Sequence, residues 1–145
     1  MKKFILFFFF ICTVCMVACI NEDIQFEKGN ISRDVAYKLV LKDLNFSLKE
    51  VDIWATEDKL PGNIADVCSG TGTVSSPDSE SWFFFIDESP MGNWGHSCQY
   101  LFVDMNGDVY VYQQTMPPTL LDDMILLNIS EARKNDNSYF IVPQK

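Results

Sequence analysis

Positive charge is scarce in this chain, and the scarcity narrows its function before any motif is considered. Eleven Lys+Arg stand against 20 Asp+Glu over 145 residues, a formal charge of −9. The bases never gather into the stripe that a phosphate backbone requires, so nucleic acid is not an expected partner. Histidine occurs once, and three of the five cysteines fall before residue 20. His96, Cys98, Cys68 and Asp87 match no paired zinc spacing, and no metal or cofactor is expected. Gly70-Thr71-Gly72 lacks the spacing of a dinucleotide loop, and no Lys-Ser/Thr pair follows it. The stretch from Asp104 to Asp108 looks superficially like a calcium loop. That template wants glycine where Val109 stands and a distant bidentate glutamate. The apolar run over residues 4–17 is shorter than the roughly 20 residues a membrane span needs.

What that run provides is an export signal. Lys2 and Lys3 form its positive start, residues 4–17 its apolar core, and Ala18 a small residue ahead of Cys19. Met16-Val17-Ala18-Cys19 resembles a bacterial lipobox, with methionine where leucine is commoner. The resemblance implies cleavage before Cys19 and a diacylglycerol on its thiol, which would anchor the chain to an envelope membrane. The mature chain would then hold nine Lys+Arg against the same 20 Asp+Glu, a charge of −11. The acidic patch Asn21-Glu22-Asp23 just behind Cys19 looks like the surface-export signal of Bacteroidetes lipoproteins. The expected organisation is a signal peptide over residues 1–18, a lipidated N-terminus and flexible tether over 19–31, and one domain over 32–145.

Within the domain, Ser32 suits an N-cap and Asp34 the first turn of a helix. Val35, Ala36, Leu39, Val40 and Leu44 follow at near-helical spacing and predict an amphipathic helix ending near Asn45. Residues 48–56 alternate as a half-buried strand does. Residues 59–80 are rich in turn formers with little to bury and predict a long loop, functional or disordered. Residues 82–86 are apolar on both faces, as in a central strand. Residues 100–105 and 108–112 predict a hairpin closed by a two-residue type I′ turn at Asn106-Gly107. That turn would set Val103 opposite Tyr110, Leu101 opposite Tyr112 and Phe102 opposite Val111. A capping box at residues 119–122 predicts a short helix through Leu127, and residues 139–142 an edge strand. The expected fold class is α+β: an antiparallel sheet of about four strands, an N-terminal helix on one face, and a short C-terminal helix.

Three constellations are candidates for function. In an oxidising envelope Cys68 and Cys98 suggest a disulfide, and closing a loop of about 30 residues would contribute roughly 3 to 4 kcal/mol. Two buried thiols are the alternative. His96 and Cys98, two apart on an extended segment, invite a hydrolase reading in which imidazole deprotonates the thiol and Asp87 orients the ring. A lone histidine is more often a structural hydrogen-bonder, and no oxyanion site can be named. The aromatics Trp54, Trp82, Trp94, Tyr100, Tyr110 and Tyr112 are either core or a recognition surface. Trp94 sits in a Gly-rich connector where folding gives it least reason to be. That connector, with Pro90, Asn93, Trp94 and His96, is the expected partner-binding element, and the loop over residues 59–80 is the alternative.

The lipobox, the helix, the long loop and the block over residues 82–112 look like the small envelope lipoproteins of gut Bacteroidetes. The layout over residues 32–116 is also similar to streptopain-propeptide-like cysteine peptidase inhibitors and to immunity proteins that neutralise papain-like toxins. The similarity lies in arrangement only, and no inhibitory motif matches residue by residue. It implies a non-enzymatic protein-binding module of the outer membrane, periplasm-facing or surface-exposed, whose partner is an envelope or secreted peptidase. The alternatives are the Cys98/His96 hydrolase and a structural accessory lipoprotein of an outer-membrane complex.

Overall fold

A computed structural model of the chain describes residues 24–64, 67, 74–93 and 95–136. They form a five-stranded, wholly antiparallel sheet with two short helices, an α+β fold. The strands are β1 (Asp52–Thr56), β2 (Ser81–Asp87), β3 (Cys98–Asp104), β4 (Val109–Gln114) and β5 (Met124–Asn128), in spatial order β4-β3-β2-β1-β5. The first four make a meander, and β5 crosses over to pair with the far edge of β1.

Helix α1 (Arg33–Asp43) starts where the sequence predicts. The Ser32 hydroxyl accepts from the Val35 amide at 3.3 Å, Asp34 faces the positive end of the helix, and Lys42 the negative end. Ala36 and Val40 are fully buried against Ile53, Ala55, Phe84, Ile86, Leu101 and Val103. The opposite face of the sheet carries Trp54, Phe83, Phe85, Cys98, Tyr100 and Phe102. With α1 occupying one face, that second apolar surface needs a cover of its own, and irregular chain supplies it. Val67 and Val74 from the long loop are buried there, with Leu60, Ile64, Leu120 and Leu121 packed around them. The loop therefore buries more than its composition implies. Ser76 holds it closed, accepting from the Ile64 amide at 2.8 Å and donating to the Pro61 carbonyl at 3.1 Å.

β2 is the middle strand, as predicted, and Phe83 to Ile86 are wholly inaccessible. At about 1.5 to 3 kcal/mol for each large buried apolar side chain, this strand and β3, where Tyr100 to Val103 are likewise buried, supply much of the core. β1 is buried at all five positions rather than half-buried, because β5 closes its outer edge and both faces are covered.

The hairpin register differs from the expected one. Val103 pairs with Val109, Leu101 with Val111, Phe102 with Tyr110 and Tyr100 with Tyr112. Asn106 and Gly107 do not form a two-residue turn. The Gly107 amide donates to the Asp104 carbonyl at 3.0 Å, and Gly107 alone takes a positive φ, +89°. This is a three-residue loop, a tight turn followed by a left-handed glycine. The Asp104 carboxylate selects it by accepting from the Asn106 amide at 2.8 Å and the Asp108 amide at 3.0 Å. The one-residue slip exchanges faces: Tyr110 and Tyr112 join the loop-covered side and Val109 and Val111 the helix side.

Residues expected to open a second helix instead make a single 3-10 turn at Leu121–Asp123 and then β5. Met124 to Leu127 is an unbroken apolar run, compatible with either state, and the open edge of β1 decides for strand. The second helix, α2 (Glu131–Asn135), comes later, capped by Ser130, whose hydroxyl accepts from the Arg133 amide at 3.2 Å. The segment ahead of α1 is packed from Phe26 onward. Ile31 is buried, its carbonyl accepts from the Trp82 indole at 2.8 Å, and the Gly29 amide donates to the Met105 carbonyl at 2.7 Å. The edge strand expected over residues 139–142 lies outside the described residues. Among the described residues no helix is long and apolar enough to cross a membrane.

Candidate functional site

The register of the sheet creates an electrostatic problem at one end. Asp52 of β1 and Asp87 of β2 pair directly, both on the loop-covered face and both inaccessible. Opposed residues of an antiparallel pair lie about 5 Å apart, so two buried carboxylates would repel each other across a medium that screens poorly. Each has its own cation. Arg133 Nε lies 2.6 Å from Asp52 Oδ2, and His96 Nε2 lies 2.7 Å from Asp87 Oδ1. Asp52 Oδ1 also accepts from the Ser130 amide at 2.6 Å, which fixes α2 against the sheet. The guanidinium sits 5.2 Å from the centre of the Trp54 ring and places Nη2 3.4 Å from the Pro90 carbonyl.

These contacts brace the connector between β2 and β3. The Ser89 amide donates to Asp87 Oδ1 at 2.9 Å, and the Gly92 amide closes a turn on the Ser89 carbonyl at 2.7 Å. His96 Nδ1 donates to the Asn93 carbonyl at 2.8 Å, and the Gly95 amide to the Thr115 carbonyl at 3.1 Å. Gly92 is closely approached, since a Cβ there would stand 3.1 Å from His96 Nδ1 and 2.9 Å from the Ser89 hydroxyl and would require small shifts of both. The back of the connector is therefore rigid, while Met91, Asn93, Gly95 and Ser97 are exposed.

The expected partner-binding residues divide accordingly. Pro90 is buried and anchors the connector through its carbonyl. Asn93 presents its side chain outward while its carbonyl holds His96. The His96 side chain is 16% exposed and serves as the brace. Trp94 lies outside the described residues. So do Cys68, and with it the pairing expected with Cys98, and the lipidation site Cys19.

Both ring nitrogens of His96 face groups that only accept, a carbonyl and a carboxylate, so both must carry protons and the ring is an imidazolium. Burial alone would lower its pKa. The bond to Asn93, the bond to Asp87 and the charges of Asp87 and Glu88 together outweigh burial and raise it. Cys98 is inaccessible, its Sγ 3.4 Å from the Met116 carbonyl, which also accepts from the Tyr100 hydroxyl at 2.9 Å. Among the described residues no three His, Cys, Asp or Glu side chains converge as metal ligands do. Of the six aromatics, Trp54 and Tyr100 are core, Trp82 is tied to Ile31, and Tyr110 is exposed on the outer strand. The Asp104 carboxylate is occupied by the hairpin turn, to which Asp108 contributes its amide while its side chain stays exposed.

Sequence reasoning missed Asp52 and Arg133. The available signal was that Arg133 is one of two arginines in the chain and stands three residues after the capping serine Ser130. Comparison of the chain with family models, with curated proteins and with solved structures found no match.

Proposed function

We propose that the protein is a lipid-anchored, non-enzymatic binding module of a bacterial envelope, most concretely an inhibitor or immunity factor for an envelope or secreted peptidase, held in the outer membrane by Cys19. The observation that carries this reading is the connector itself. It is clamped from behind by Asp87, His96 and Arg133, yet exposes Met91, Asn93, Gly95 and Ser97 in front. A rigid scaffold presenting a short exposed loop loses little conformational entropy when it binds. The Cys98/His96 hydrolase has less support. An imidazolium donating at both nitrogens has no lone pair with which to take the thiol proton, and Cys98 is inaccessible to a substrate.

The test is affinity capture from envelope extracts with the mature protein and with Asn93→Lys and Trp94→Ala, followed by assay of any captured peptidase. The expected result is a captured protein that both variants lose and whose activity the unmodified protein lowers. Capture of nothing, or capture indifferent to both variants, overturns the reading.

A further inference from the structure

Outer strands of a sheet carry a row of unpaired backbone donors and acceptors, and natural proteins blunt them with charge, proline or irregularity. β4 has none of these devices. No charged residue falls between Asp108 and Asp122, no proline within that stretch precedes Pro117, and the pairing with β3 runs without a bulge over six residue pairs. The other outer strand, β5, is interrupted where its register against β1 shifts between Ile53 and Trp54.

Pairing geometry identifies which groups of β4 face outward. The Asp104 amide donates to the Asp108 carbonyl at 3.1 Å, so residues 104 and 108 form a hydrogen-bonded pair. Alternation then makes 102/110, 100/112 and 98/114 hydrogen-bonded pairs as well. The N–H and C=O of Val109, Val111 and Gln113 consequently point away from β3, and among the described residues no strand pairs with that edge. Val111 is 49% exposed and Tyr110 38%, so side-chain surface accompanies the open backbone.

We propose that β4 is a docking edge for an extended segment of a second protein, one that carries Lys or Arg where it passes the hairpin end, and that pairs with Val109, Val111 and Gln113 as a sixth strand. This deepens the binding-module reading and rests on it. The Gly95 amide reaches the Thr115 carbonyl, so the end of β4 adjoins the exposed connector. Charge selects the occupant. At the hairpin end Asp108 is exposed beside the turn-bound carboxylate of Asp104, and the chain carries −9 overall. The field is felt locally: the Tyr110 hydroxyl has its pKa raised, first by the charge of Asp104, with desolvation and Asp108 adding to it. A second copy would bring up a chain of the same net charge, whereas a basic segment neutralises the acids at the hairpin end.

The probe is a short synthetic peptide of alternating valine and threonine flanked by lysines, added to the full chain and followed by fluorescence anisotropy and residue-resolved amide exchange. Without peptide, the amides of Val109, Val111 and Gln113 should exchange quickly; with it they should become protected. Val111→Pro removes an outward donor at an edge position that tolerates proline, and Val111→Lys adds an edge charge. Each should weaken binding at least about tenfold with thermal unfolding little changed, since neither touches a bond to β3. A glutamate-flanked peptide should bind more weakly than the lysine-flanked one. Absence of binding to the wild type, or binding indifferent to both Val111 variants, overturns the proposal. Protection of these amides before peptide is added also overturns it: if dilution removes the protection a second copy is the occupant, and if dilution leaves it unchanged the chain covers its own edge. Because the readout is confined to β4, loss of this proposal leaves the connector test standing.

Discussion

If His96 is the counter-ion of a buried carboxylate, removing its charge should weaken the fold by a calculable amount and with a defined pH signature. The ring makes charge-assisted bonds of 2.7 Å to Asp87 and 2.8 Å to Asn93 while 16% exposed. In His96→Ala the Asp87 carboxylate, 2% exposed, keeps only the Ser89 amide and still faces Asp52 across the strand pair. Breaking a buried pair from one side costs about 3 to 5 kcal/mol, and the partial exposure of the ring brings the expectation to about 2 to 3 kcal/mol. For a domain of this size that is a fall in melting temperature of roughly 10 °C or more.

The pH dependence is the sharper test. The pKa of His96 is raised in the folded state, so its stabilisation is fully present below the unfolded value near 6.5 and is lost as pH rises through the folded value. Above about pH 6 exposed carboxylates are already ionised, and His96 is the chain's one histidine. Wild-type protein should therefore melt higher at pH 6 than at pH 8.5, and that slope should flatten in His96→Gln. Calorimetric scans of the two proteins across this range decide the matter. An unchanged slope in the variant would refute the assignment of His96 as an imidazolium clamp.

The second buried pair predicts that Arg133→Met, which strands Asp52 opposite Asp87, should cost about 3 to 5 kcal/mol in urea unfolding. Adding Asp52→Asn should recover a large part of that loss, and purely additive losses would contradict the pairing. Gly107→Ala should destabilise by about 1 to 2 kcal/mol on backbone grounds alone, with more because a Cβ would run into the Phe26 ring; thermal melts of Gly107→Ala with and without Phe26→Ala separate the two parts. Cys19→Ala should move the protein from the membrane pellet to the soluble fraction after cell lysis, and continued sedimentation with membranes would remove the lipobox reading.

How much of this could be read from the sequence depends on whether the deciding interaction is local. The start of α1 was legible because Ser32, Asp34 and the apolar spacing act within a few residues of one another. The central position of β2 was legible because both of its faces are written in one apolar run. The hairpin failed by one residue for a reason that is also local but subtler. Asn106-Gly107 fits a two-residue turn, yet the Asp104 side chain, by accepting two amides of the loop, stabilises the three-residue alternative, and the slip exchanges the faces of every residue on β4. β5 was mistaken for a helix because its run of apolar residues has no period of its own and only the vacant edge of β1, some 70 residues earlier, selects strand. The site shows the same division more clearly. Its exposed front, in Asn93 and the flanking glycines, reads as a connector from composition, whereas its rigidity comes from Asp52 and Arg133, residues 81 apart in the chain that meet only once the sheet has formed. A connector legible as a loop thus became a candidate binding element through a cation that no local pattern announces, and any binding at its exposed front should depend on Arg133 and His96, whose side chains brace it from behind.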